Sequence, residues 1–241
     1  MDASLIATFF LLIGLELVLG IDNILLISII TDRLPPEQRR KGRILGLSLA
    51  FLIRCLLLLG ASLLLKLSAP VLFGFSWKDM ILIVGGGFLL FKAVKEIHHV
   101  VEGVHGEDGS TIQRLTFASA ITQIILLDIV FSIDSVITAV GLTDSLPVIY
   151  GAVVLSFMGV LAFAGVIADF VQKHPTLKIL ALAFLVTIGV TLCIEGFQGH
   201  VPKGYIYLPM GFALIVELLQ LRFAYNAERR KARAAQQEKA G

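Results

Sequence analysis

The chain has 241 residues, 57% of them hydrophobic and 16% charged, with a formal net charge of +2 and a mean hydropathy of +0.90. Such a composition excludes an ordinary soluble domain, and so small a charge, carried by basic residues scattered between apolar runs, excludes a nucleic-acid partner. What remains is an integral membrane protein, and Cys55 and Cys193, both inside apolar runs, read as small packing residues instead of a disulfide framework.

A helix rises about 1.5 Å per residue, so about 20 apolar residues cross the hydrocarbon core. Seven segments qualify: 5–30, 44–67, 80–95, 115–142, 147–171, 177–197 and 205–223, the third being the shortest. The first is too long for a signal-peptide core and reads as a span. The connections "RLPPEQRRKG", "LSAPVLFGFSW", "KHP" and "GHVPKGY" are short and punctuated by Pro and Gly, leaving no room for a soluble domain. The expected fold class is all-α and polytopic, with seven transmembrane helices. The transmembrane domain covers 1–225, and 226–241 form a basic cytoplasmic tail, helical against anionic lipid and then frayed. Basic residues gather in alternate connections: Arg33 to Arg43, Lys92 to Arg114, Lys173 with Lys178, and the tail. By the positive-inside rule the N-terminus lies outside and the C-terminus in the cytoplasm.

The first and fourth spans carry one phrase twice. "ELVLGIDNILLISIITDRLP" begins at Glu16 and "DIVFSIDSVITAVGLTDSLP" at Asp128, and they align without a gap. Glu16 answers to Asp128, Asp22 to Asp134 and Asn23 to Ser135. Three spans separate the copies, so they cross the bilayer in opposite senses. The arrangement expected is a 3+3 inverted repeat, 5–98 and 115–198, followed by a seventh helix at 205–223. Such repeats carry transporter sites near mid-membrane at the repeat interface.

A charge at the bilayer centre costs roughly 2.5–3.5 kcal/mol on insertion scales, so four repeated carboxylates point to function. Positions 16 and 22 differ by about 9 Å along an ideal helix and about 120° around it, so an unbroken helix would not aim both at one ion. Gly20 and Ser132, at equivalent places between the acids, predict broken helices there. Asp22 and Asp134 would then face each other, Asn23 and Ser135 would add neutral oxygens, and Glu16 and Asp128 would flank them. An all-oxygen site suits Mg²⁺, Ca²⁺ or Mn²⁺. The bland alternative is that these acids cap broken helices or pair with basic residues such as Arg54, near the middle of the second span. Arg54 could also stand in the empty site as a counter-charge. Without a cation, crowding and loss of water disfavour full ionisation, which makes proton exchange for metal a natural coupling.

Other polar residues are weaker signals. Lys92 and Glu96 read as snorkelling or interfacial, with Lys92 a possible gate. Glu195 reads as an outer gate or an interfacial acid, and Asp169 and Glu217 as interfacial. His98, Glu102 and His105 share one helical face in "KEIHHVVEGVHGEDG", which reads as a solvated face or a cytoplasmic metal contact.

The two acidic phrases, with "LLFKAVKEIHH" and "HVPKGYIY", resemble the TerC family of membrane proteins in its short form, across nearly the whole chain. The resemblance implies a seven-helix protein of the bacterial cytoplasmic membrane, related to LysE-type transporters, with some members implicated in Mn²⁺ export and others linked to tellurite resistance; Mn²⁺ export is the activity expected here, with no prosthetic group. It also implies that the transport acids fall on Glu16, Asp22, Asp128 and Asp134, with Asn23 beside the first pair. Asp128 is shorter than the Glu found there in some members. The partners expected are a divalent cation and lipid, with no nucleic acid. Two competing readings are an intramembrane aspartyl protease, for which "GID" and "SID" lack the Gly-x-Gly-Asp phrase, and a scaffold whose acids serve only helix packing.

Overall fold

Proline and short polar side chains set where the helices start. The computed structural model describes residues 3–72, 74–102, 115–143 and 145–240, without the side chains of 3, 4, 21, 22, 62, 63, 65, 72, 228 and 231–240. Helix α1 is Ala3–Asp32, and α2, Pro36–Leu59, opens on proline in its first turn and ends at Gly60. A short α3, Ala61–Leu67, leads into a two-stranded antiparallel ribbon, β1 Pro70–Leu72 and β2 Phe75–Ser76. Helix α4, Trp77–Val101, begins with a capping box in which the Ser76 hydroxyl accepts from the Asp79 N–H and the Asp79 carboxylate accepts from the Ser76 N–H. Thr116 caps α5, Phe117–Leu142, while Pro147 and Pro175 sit in the first turns of α6, Leu146–Lys173, and α7, Pro175–Gly196. Helix α8, Gly204–Ala240, belongs to a separate compact unit that begins at Val201.

The protein is thus an all-α polytopic membrane protein. Six helices are long and apolar enough to span among the described residues: Leu5–Asp32, Pro36–Leu59, Phe117–Leu142, Leu146–Lys173, Pro175–Gly196 and Gly204–Ala227. The 25 residues of α4 also suffice in length, but Lys78, Asp79, Lys92, Lys95 and Glu96 crowd the ends of its apolar middle. The structure replaces two expectations. The segment read as 44–67 is two helices, because α2 begins at Pro36, absorbing the basic "PEQRRKGR" stretch into its first turns, and stops at Gly60. The loop after α3 contains a ribbon. Helix α8 continues through the segment expected to be a basic helical tail, and its candidate span ends at Ala227.

Pairing among the helices of the first unit is ordered. The most extensive contact is α4 on α7, followed by α1 on α6 and α2 on α5, with α1 also meeting α5. Exchanging α1, α2 and α4 for α5, α6 and α7 turns α1–α6 into α2–α5 and leaves α4–α7 and α1–α5 as they are. Large apolar side chains such as Phe10, Leu56, Val84, Phe91, Met158, Phe163 and Val166 point outward, as lipid-facing residues do.

The α4–α7 contact depends on glycine. A Cβ on Gly86 would meet the Gly189 carbonyl at 2.8 Å and the Cys193 sulfur at 2.9 Å, and one on Gly189 would meet the Gly86 carbonyl at 3.1 Å. Backbones this close are how membrane helices gain dispersion contacts without a hydrophobic drive. Gly86→Ala is expected to lower stability by about 1–3 kcal/mol, since its methyl meets backbone that cannot step aside. The adjacent Gly87→Ala, with nothing within 4 Å, should be neutral, and thermal unfolding in detergent compares them.

Candidate functional site

Two apolar clusters bracket a layer of charge. One gathers Leu12, Leu58, Ile133, Val136 and Ile149, the other Ile24, Ile27, Leu47, Ile124 and Val160. Between them lie Glu16 and Asp128, near the middles of α1 and α5, and Arg54, in the last third of α2, all buried. The Arg54 Nη1 donates to Glu16 Oε2 at 2.5 Å, its Nη2 lies 3.9 Å from Asp128 Oδ1, and its Nε donates to the Ser132 hydroxyl at 3.3 Å. Asp128 also accepts from the Ser132 hydroxyl at 3.1 Å and from the Asn23 amide at 3.4 Å. With both acids ionised, the cluster carries one net negative charge.

Helical periodicity explains this membership. The expected breaks at Gly20 and Ser132 are absent, because α1 and α5 run unbroken through both positions. Gly20 instead lets α6 approach closely, a Cβ there colliding with Val160, and Ser132 spends its hydroxyl on Asp128. On an unbroken helix, positions seven apart share a face within about 20°. Glu16 and Asn23 are such a pair, and so are Asp128 and Ser135. The site-facing stripe is therefore 16, 20 and 23 on α1 and 128, 132 and 135 on α5, whereas positions 22 and 134 fall about 100° from 23 and 135.

The remaining expected ligands are placed differently. The Asp22 side chain lies outside the described residues. Asp134 is half-buried on α5, and the Ser135 hydroxyl donates to the Ser132 carbonyl at 3.2 Å. Among the described residues no three His, Cys, Asp or Glu side chains converge as a metal cage. Glu16 and Asp128 are instead gathered around the guanidinium. A cavity of about 40 Å³ adjoins it, lined by Glu16, Asn23, Arg54, Asp128, Ser156 and the stacked rings of Phe51 and Phe157, whose centroids are 4.0 Å apart. Sequence reasoning missed Ser132 as the hub between Arg54 and Asp128, and Ser156, which donates to the Ile13 carbonyl at 3.3 Å. The i, i+4 spacing of Asp128 and Ser132 was the available signal.

A second ionic group closes the other end of α1. Asp32 lies 3.8 Å from both Arg39 Nη1 and Lys178 Nζ and accepts from the Gln172 amide. Glu96 pairs with Arg33, and with Lys178 at 3.7 Å, so its close ion pairs reach beyond its own helix. Lys92 lies over the Phe88 ring, 5.6 Å from its centroid. Because Lys178 at the start of α7 meets the end of α4, the two helices are antiparallel, and Glu195, half-buried in the last turn of α7, lies at the end opposite Lys92. Asp169 is exposed, 3.6 Å from Arg43. His98 Nδ1 lies 3.4 Å from Glu102 Oε1 on an exposed face, and His105 lies outside the described residues.

Fold and site together define a polytopic helical membrane protein in which two repeated phrases each deliver an acid to one buried arginine. The chain belongs to the integral membrane protein TerC family, whose model it matches over residues 1–232. It is 48% identical to a "UPF0053 protein" of Haemophilus influenzae over 216 residues, 88% of this chain and 91% of that one. It is 49% identical to the UPF0053 inner membrane protein YgdQ of Escherichia coli over 212 residues, 86% and 88% of the two chains. A third relative, the E. coli inner membrane protein YoaE, is 45% identical over 90% of this chain, which spans 43% of that protein. No solved structure matches.

Removing either acid leaves Arg54 with one carboxylate, while removing both leaves a buried charge with no counter-charge; breaking a buried pair costs about 3–5 kcal/mol. Glu16→Gln and Asp128→Asn should therefore each destabilise modestly. The double variant should lose more than the sum, measured as thermal unfolding of the same four-protein cycle.

Proposed function

We propose that this protein is a transporter, not an enzyme, which exports a divalent cation, Mn²⁺ first, in exchange for protons. The observation that carries the reading is the meeting of Glu16 and Asp128, equivalent positions of the two phrases, in one buried layer beside a small cavity. Carboxylate and amide oxygens there suit a hard cation as cargo. Glu16, Asp128 and Asn23 make first contact; Asp22 and Asp134, each next to a stripe residue, take the cargo on the adjoining faces, and Ser135 joins by turning its hydroxyl from Ser132.

An inverted repeat of 3+3 helices with α4 as a span is supported by the exchange symmetry of the helix pairings and by the acids' equivalence. The alternating basic connections favour an outside N-terminus and a cytoplasmic C-terminus, and the printed names of YgdQ and YoaE favour the inner membrane. The ion pairs of Asp32 and Glu96 would then close the cytoplasmic end. The His98–Glu102 face would be a cytoplasmic contact for the cation.

Cells lacking their own exporters, challenged with Mn²⁺, should hold less manganese when they make the wild-type protein, and should not when they make equally inserted Asp22→Ala or Asp134→Ala. Equal content in all three would remove manganese as cargo. In sealed vesicles Mn²⁺ flux should depend on the pH gradient, and a pH-independent flux would sink the exchange.

A further inference from the structure

Arg54 has no counterpart in the second half of the chain. The buried face of α2, Gly42, Arg43, Gly46, Ala50, Arg54 and Leu58, recurs 110 residues later on α6 as the buried Ala152, Val153, Ser156, Val160, Ala164 and Ala168. Ala164 stands where the first half has arginine. Since α2 lies on α5 and α6 on α1, Asp128 has an arginine on its neighbouring helix, and Glu16 faces a helix that brings none. Arg54 serves both acids by reaching across, and Glu16 is its nearer partner, at 2.5 Å against 3.9 Å. The cavity beside the guanidinium is lined by α6 as well as α2: Val153, Ser156, Phe157 and Val160 share it with Leu47, Ala50, Phe51 and Arg54.

Charge counting gives this asymmetry a consequence. Two ionised acids balance one divalent cation. With the guanidinium in place only one of the two negative charges of Glu16 and Asp128 is left for cargo, and the cargo would also face a like charge in a medium where charges interact strongly. Arg54 and the cargo thus compete for the same carboxylate oxygens.

Resting on the cation-transport reading, we infer that Arg54 is a tethered competitor of the cargo: it holds Glu16 and Asp128 while the site is empty, must leave Glu16 for a cation to bind, and expels the cation by returning. It is a positioning residue that sets affinity against release. A single arginine also makes the site take one cation at a time, although the acids come in twofold-related pairs.

The test uses the full-length protein in lipid nanodiscs with Mn²⁺ as probe, and reads binding by calorimetry and flux in vesicles. Arg54→Gln should bind Mn²⁺ about tenfold more tightly or better, through loss of a like charge at close range, while its flux falls because release slows. Arg54→Lys restores a charge and should return the affinity to within about threefold of wild type. A purely structural arginine would not raise affinity when removed, so unchanged or weaker binding by a folded Arg54→Gln overturns the inference. If that variant is unfolded alone, Mn²⁺ should restore a cooperative melting transition; failure to fold with and without Mn²⁺ overturns it too. No binding by wild type or either variant would bring down the manganese reading itself, and the inference with it.

Discussion

A guanidinium in the middle of a membrane domain has to be neutralised where it lies, and the arrangement of α1, α2 and α5 follows from that need. Arg54 is buried between two apolar clusters, and Glu16, Asp128 and Ser132 supply the partners that water would otherwise supply. Its five donors explain the neighbourhood: two nitrogens go to two carboxylates and the third to a hydroxyl, which in turn donates to one of those carboxylates. Asn23 then supplies Asp128 with a further donor from the opposite helix. The network joins both repeated phrases through a residue that belongs to neither.

Around this centre the molecule separates two kinds of contact. Small residues let backbones approach where helices are to be fixed, as at Gly86 against Gly189, and there the fit tolerates no added methyl. Polar pairs hold the places where charge is concentrated. The group at the end of α1 ties α1, α2, α4, α6 and α7 through Asp32 and Glu96, and its members are partly exposed, so salt weakens it more than the central cluster. The centre and the end of one helix thus answer differently to ionic strength, although each is held by carboxylate and cation.

Duplication and asymmetry coexist here. The stripe positions 16, 20 and 23 on α1 and 128, 132 and 135 on α5 are equivalent, yet glycine at 20 admits Val160 while serine at 132 holds a carboxylate. The same contrast separates Arg54 from Ala164. A perfectly symmetric pair of acids would have to be neutralised twice; one long side chain spanning the interface does it once and leaves a cavity beside it.

The sequence by itself determined the membrane class, the approximate places of the apolar helices, though not the split at Gly60, and the recurrence of the two acidic phrases, because hydropathy and self-similarity are properties of the chain read in order. It also singled out Arg54 as a partner for the acids. It did not determine that α1 and α5 stay straight, since glycine and serine permit a break without requiring one, and whether the backbone takes it depends on what lies alongside: Val160 presses on Gly20, and Asp128 accepts from Ser132. The tertiary structure alone decided that the acids converge at 16 and 128, that Glu96 pairs with Arg33 and Lys178, and that a cavity lined by α1, α2, α5 and α6 lies beside them. These are matters of which helix lies against which, and a buried charge takes the nearest opposite charge in space, whatever its distance along the chain.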